Sequence, residues 1–191
     1  MQNDMLEIRW HGRAGQGVVT AAETLADILA PEGKYVQAFP SFGAEKRGAP
    51  IMAFNRISSR EIRAHYEISN PKIVVVTDPT LLGLVDIKAG TGDASIIIVN
   101  STISPEIIKE KLALAPRKVY SLDAYKIAND EIGRPIPNIP MLAALVKVTG
   151  ILDPQRFKER VKVSLMKKLN EKIAEANVRT IERAYGEVRG E

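Results

Sequence analysis

Two unbroken runs of mostly β-branched residues, Ile73-Val74-Val75-Val76-Thr77 and Ser95-Ile96-Ile97-Ile98-Val99-Asn100, constrain the fold more than any other feature of the chain. Neither alternates with polar residues, so each reads as a strand covered on both faces, as at the centre of a parallel sheet. Such strands need helices between them. Helical spacing of apolar residues supplies these at 18–30, 104–113, 123–132 and 139–149, with Pro31 and Gly33 closing the first and Ser104-Pro105 opening the second. The expectation is an α/β fold, a three-layer sandwich around a mostly parallel sheet. Residues 51–57, turning at Ser58-Ser59 into a partner strand at 62–66, would add a hairpin and make the sheet mixed. Residues 81–86 read as a short helix. From Asp153-Pro154, Phe157, Val161, Leu165, Leu169 and Ile173 recur every four residues, giving a C-terminal amphipathic helix. With 191 residues, 45% of them apolar, the chain suits one core. It reads as a single domain over 1–191, with 153–187 as a helical arm.

The most chemically informative stretch lies at the N-terminus. Leu6, Ile8 and Trp10 alternate with Glu7, Arg9 and His11, a strand with one apolar and one polar face. The polar face is either wet, the commoner case, or meets a second protein. The strand feeds the turn Gly12-Arg13-Ala14-Gly15-Gln16-Gly17, and a helix follows at once. This order gathers unpaired backbone N–H groups at an electropositive helix start, where an anion can sit. The glycines would equally serve close packing of helix on strand. Two phosphate motifs fail on spacing. The order here is G-x-x-G-x-G rather than G-x-G-x-x-G, and the next strand, 34–39, ends in no carboxylate. Gly12 and Gly17 have the spacing of a nucleoside-triphosphate loop, but Val18 and Val19 stand where Lys and Ser/Thr would bind phosphate and magnesium. NAD binding and ATP hydrolysis are therefore excluded. Asp78, at a strand's carboxyl end, is read chiefly as a cap for the next turn.

Composition removes further classes. The chain has no cysteine and two histidines, so thiolate catalysis, iron–sulfur ligation and a metal centre are not expected of it. A net charge of +4 with few aromatics gives little support to nucleic-acid binding. No apolar run approaches the ~20 residues of a membrane span, and Met1-Gln2-Asn3-Asp4 lacks a secretory pattern, so a cytoplasmic location is expected. The lysines and arginines of 156–172 fit a solvated helix face or an acidic partner.

His11-Gly12-Arg13-Ala14-Gly15-Gln16-Gly17 and the loop Pro40-Ser41-Phe42-Gly43-Ala44-Glu45-Lys46-Arg47-Gly48-Ala49-Pro50 together resemble the gamma subunits of 2-oxoacid:ferredoxin oxidoreductases. Ala53-Phe54-Asn55-Arg56-Ile57, Asn70-Pro71 and the strand ending in Asp78 extend the resemblance over roughly residues 6–175. It implies a subunit of an enzyme that oxidatively decarboxylates a 2-oxoacid, makes an acyl-coenzyme A and passes electrons to ferredoxin. The tail Arg47-Gly48-Ala49-Pro50 looks closer to the pyruvate and branched-chain oxoacid members than to the 2-oxoglutarate members, and pyruvate is the leading expectation. Thiamine diphosphate and iron–sulfur clusters would sit on alpha, beta and delta partner subunits, with coenzyme A a substrate of the complex. Gly12, Arg13, Gly15, Gln16, Gly17, Ser41, Phe42, Gly43, Glu45, Lys46 and Arg47 would face the partners or coenzyme A, without catalytic roles and with no metal. Arg13, Lys46 and Arg47 are chemically suited to its phosphates. The competing reading is a stand-alone anion- or nucleotide-binding α/β module.

Overall fold

The computed structural model describes residues 5–41, 48–166 and 170–190. Its centre is a seven-stranded mixed sheet: β1 (Leu6–Arg13), β2 (Tyr35–Pro40), β3 (Pro50–Ser58), β4 (Ile73–Val76), β5 (Ile96–Asn100), β6 (Lys118–Leu122) and β7 (Arg189–Gly190). The spatial order is β2-β3-β1-β4-β5-β6-β7. The β1–β4, β4–β5 and β5–β6 pairs are parallel, whereas β1–β3, β2–β3 and β6–β7 are antiparallel. The two β-branched runs are adjacent central strands, as their lack of polar alternation requires.

Helices α1 (Val18–Leu29), α3 (Ala124–Ile132), α4 (Asn138–Thr149), α5 (Pro154–Met166) and α6 (Glu171–Glu187) enclose the larger core on one side of the sheet. Ile8, Trp10, Val75 and Ile98 enter that core from the sheet, and Leu25, Leu142, Phe157 and Ile181 from the helices. On the other side, α2 (Pro105–Lys111) and the turns after β4 cover Val74, Val76, Ile97, Val99 and Val119. Full burial of a Leu, Ile or Phe stabilises by about 1.5–3 kcal/mol. The two cores therefore hold β4 and β5 most strongly.

Four features differ from the sequence expectation. Residues 62–66 form no strand, because β3 already has β1 on one edge and β2 on the other, leaving no edge for a hairpin partner. The sheet is mixed through β2, β3 and β7 instead. Residues 81–86 do not form a helix; a 3-10 turn over Pro79–Leu81 gives way to Gly83 at φ 86°, a left-handed conformation that ends helical propagation. The C-terminal amphipathic pattern is divided between α5 and α6, the second opened by Asn170, whose side chain accepts from Ile173 N at 3.0 Å. The polar face of β1 is not wet. Arg9 and His11 are about 5% exposed, lying beneath the 79–92 turns, while Arg56 of β3 is fully buried beneath Tyr66.

Many of the C-terminal cations among the described residues are paired within the chain. Arg156 and Arg160 pair with Glu32, Lys158 with Glu182, Lys162 with Glu175, and Arg183 with Asp130, Glu131 and Glu187. Exposed pairs of this kind contribute about 0–1 kcal/mol each, so they orient side chains more than they stabilise the fold.

Candidate functional site

The carboxyl ends of β1, β4, β5 and β6 lie along one crest of the sheet. Strand order reverses at β1, whose following chain runs to β2 and β3 on one side before returning to β4 on the other. Open α/β sheets bind ligands in the crevice at such a reversal. The glycine turn occupies it.

Each glycine that shapes the turn has a separate physical reason. A Cβ on Gly12 would lie 2.2 Å from Thr77 Oγ1 and 2.3 Å from Val18 Cγ2, so only glycine lets β1, β4 and α1 meet there. Gly17 caps α1 at φ 75°, and a Cβ there would meet the Asn138 amide at 2.9 Å. Gly15 also has positive φ, 98°, but faces open space. Ala14 stands clear of this requirement, since no positive φ occurs at its position.

The turn is fixed by Gln16, whose carboxamide is oriented by its neighbours' chemistry. Its Oε1 accepts from Arg13 N at 2.7 Å, and its Nε2 donates to Asp78 Oδ2 at 2.5 Å and to the Tyr125 hydroxyl at 2.7 Å. Because a backbone N–H can only donate and a carboxylate only accepts, the amide has one consistent orientation. Arg13 is spent in the same network. Its Nε and Nη2 donate to Thr80 Oγ1 at 3.1 and 2.9 Å, its Nη1 to Gly48 O at 3.0 Å, and its Nε lies 3.4 Å from Asp78 Oδ2.

Asp78 is the hub. It is the cap read from the sequence, since Oδ1 accepts from Thr80 N at 2.8 Å and from Thr80 Oγ1 at 2.6 Å. It also joins Gln16 and Arg13. Burial alone would raise its carboxyl, but the hydrogen bonds from Thr80 and Gln16 and the charge of Arg13 outweigh burial and hold it below the ordinary carboxylate range. Burial first, and the Asp78 charge second, push the Tyr125 hydroxyl up to about 12, so it stays protonated. Asn100, at the end of β5, donates from Nδ2 to Thr77 O at 2.8 Å and accepts from Ala124 N at 2.9 Å, locking the start of α3 to the end of β4.

The two sequence motifs meet here. Ala14 N donates to Ala49 O at 3.0 Å and Gly48 N to Ala14 O at 3.4 Å, carrying the β1–β3 ladder past the strand ends into both loops. Ser41 donates from N to Met52 O at 2.9 Å and from Oγ to Glu67 Oε1 at 2.7 Å. Phe42, Gly43, Glu45, Lys46 and Arg47 lie outside the described residues. Arg13 and Gln16 both brace the turn, the Arg13 side chain remaining 28% exposed. Gly15 is exposed at the turn, and the N–H groups of Gly15, Gly17 and the first turn of α1 have no backbone acceptor among the described residues.

Thr80, Asn100, Tyr125 and Asn138 were not singled out from the sequence. The available signal was position: Asn100 and Asp78 end the two β-branched runs, and Tyr125 sits in the helical turn just beyond β6. Among the described residues no group of three or more His, Asp or Glu could hold a metal, and no helix is long and apolar enough to cross a membrane.

Residues 7–187 match the family model described as pyruvate ferredoxin/flavodoxin oxidoreductase. The chain is 48% identical over 172 residues to the common gamma subunit of the pyruvate/ketoisovalerate oxidoreductases of Pyrococcus furiosus, covering 90% of this chain and 93% of that one. The crystal structure of pyruvate oxidoreductase subunit PORC from Thermotoga maritima superposes with a TM-score of 0.85 at 40% identity, covering 98% of this chain and 99% of that one. At 19% identity, 2-oxoglutarate:ferredoxin oxidoreductase from Magnetococcus marinus shares the fold, with a TM-score of 0.77 over 97% of this chain and 31% of that longer chain.

Proposed function

The chain belongs to the pyruvate ferredoxin/flavodoxin oxidoreductase family, and we propose that it is the gamma subunit that shapes one wall of the coenzyme A site while other subunits perform the redox chemistry. The observation that carries this reading is the braced turn at the strand-order reversal. Gln16, Asp78, Arg13 and Thr80 satisfy one another, so the turn presents backbone N–H groups in a fixed array rather than mobile cations. Fixed N–H groups at a helix start suit phosphate oxygens.

Two polar side chains of the first motif thus act by positioning. Phosphate-binding cations fall instead to Lys46 and Arg47 of the second motif, whose loop is anchored to the turn through Gly48 and Ala49. Thiamine diphosphate and iron–sulfur clusters belong to alpha, beta and delta partners in this reading. A chain without cysteine has no thiolate for a cluster. Ferredoxin would be met through the complex. The choice of oxoacid, with pyruvate the leading candidate, would also lie with the partners. The Pyrococcus furiosus relative, by its name, is common to pyruvate and ketoisovalerate enzymes. The stand-alone nucleotide-binding reading is not favoured, because the relatives matched over nearly their whole length are oxidoreductase subunits.

The test uses the assembled complex. Arg47→Ala is expected to raise the KM for coenzyme A about tenfold, the loss of one charge-assisted phosphate contact, while thiamine content and viologen reduction at saturating coenzyme A stay unchanged. An unchanged KM in an intact complex, or turnover of pyruvate by the isolated chain, would sink the proposal.

A further inference from the structure

The polar face of β1 opens into a cavity of about 410 Å³ on the side of the sheet away from α1. Its lining is mostly apolar, with Met52, Leu81 and Val85 as walls and Ala89 among the residues around it. At its base lie two polar groups that no part of the proposed coenzyme A wall uses, Arg9 and His11.

Arg9 is 6% exposed, and its hydrogen bonds run to neutral acceptors. Nε donates to His11 Nε2 at 3.0 Å, and Nη2 donates to Ile87 O at 3.1 Å and to Ala89 O at 2.8 Å. Nη1 has no acceptor, and the guanidinium has no ion-pair partner, among the described residues. Asp86 also lines the cavity and acts on Arg9 at longer range. The acceptor role of His11 Nε2 puts the imidazole proton on Nδ1, a second donor without a partner among the described residues. A buried cation whose carboxylate is missing is costly to keep, and buried charges are ordinarily paired. Here the fold holds the guanidinium rigidly by three bonds and leaves one of its edges unused.

We propose that this cavity is a binding site for a short aliphatic monocarboxylate, its carboxylate seated on Arg9 Nη1 and His11 Nδ1–H and its hydrocarbon body against Met52, Leu81 and Val85. An apolar pocket of a few hundred cubic ångströms with a small set of convergent polar groups is the usual form of a small-molecule site. The charge selects the head group. A phosphate would leave the apolar walls unused, and an alcohol would leave the guanidinium uncompensated.

The probe is hexanoate, added to the full chain and followed by calorimetry and by the His11 imidazole NMR signals. Hexanoate is expected to bind with a Kd on the order of 1 mM and to move the His11 signals, with hexanol and inorganic phosphate at least about tenfold weaker. Arg9→Met should lose at least about tenfold in affinity. Ala89→Phe, which keeps Arg9 and the Ala89 carbonyl while filling space at the cavity, should lose it as well at an unchanged melting temperature. The proposal is overturned if hexanoate fails to bind the wild type, if hexanol binds equally well, or if Ala89→Phe, folded as the wild type, binds hexanoate undiminished.

Discussion

His11 makes the stability of this protein depend on pH in a window where few other groups titrate. Burial first, and the neighbouring Arg9 charge second, lower its imidazole to about 4, from 6.5 in the unfolded chain. Between those two values the unfolded chain carries a proton on His11 that the folded chain does not. The unfolded state therefore binds more protons, and stability falls as the pH drops from about 6.5 toward 4. The full difference corresponds to roughly 3 kcal/mol, and about 2 kcal/mol of it is lost between pH 7.5 and 5. For a chain of this length that is a fall in Tm of about 5 °C. Asp78 is held below the ordinary carboxylate range by its hydrogen bonds and by Arg13, and the other histidine, His65, is exposed. The comparison variant is His11→Gln, whose carboxamide oxygen can still accept from Arg9 Nε. Urea unfolding at pH 7.5, 6.5, 5.5 and 5 should give a wild-type curve that descends and a His11→Gln curve that stays nearly level. Parallel curves would show that the imidazole is not held neutral by its site, and the argument would fail.

Asn55→Leu should cost about 3 kcal/mol in chemical denaturation. Asn55 accepts from Trp10 Nε1 at 2.9 Å and donates to Ala22 O at 2.9 Å inside the core, and leucine leaves the indole N–H without an acceptor. A loss under 1 kcal/mol would mean that the core rearranges around it. Gly12→Ala should cost about 1–3 kcal/mol through overpacking against Thr77 and Val18, and it should weaken coenzyme A binding in the complex by displacing the turn. Kinetics and melting temperature equal to wild type would show that the close approach at Gly12 is not needed.

How much of this could be read from the sequence depended on whether the signal was local. β4 and β5 were legible because an unbroken β-branched run has only one comfortable home, between two covered faces. α1, α3 and α4 were legible from spacing and caps, and Gly133 and Gly150, both left-handed, close the last two. The failures were non-local. Residues 62–66 have a plausible strand composition, but whether they pair depends on an open edge, and β1 had already taken it. β7 is two residues long and antiparallel to β6, too short to leave a pattern. The polar face of β1 looked wet because alternation reports polarity, not exposure. Arg9, His11 and Arg56 are buried there because later segments fold over them and supply carbonyls and rings.

The same distinction separates residues that define the family pattern from residues that meet a ligand. Asn55 and Arg56 belong to the stretch that carried the resemblance, yet both act inside the fold. Asn55 joins β1, β3 and α1, while Arg56 pairs with Glu7 at 2.9 Å between the rings of Phe39 and Tyr66. Gln16 and Arg13, the polar members of the glycine motif, are likewise spent on Asp78, Tyr125 and Thr80. A motif of this kind specifies a surface by fixing backbone. If side chains touched the ligand directly, Gln16→Ala would weaken coenzyme A binding with little effect on stability. If Gln16 braces the turn, the same variant loses bonds to a carboxylate and a backbone N–H, so stability should fall by about 2 kcal/mol together with affinity. Thermal unfolding of the isolated variant, set beside the KM of the complex that contains it, distinguishes the two. Full stability with a raised KM would return Gln16 to the ligand.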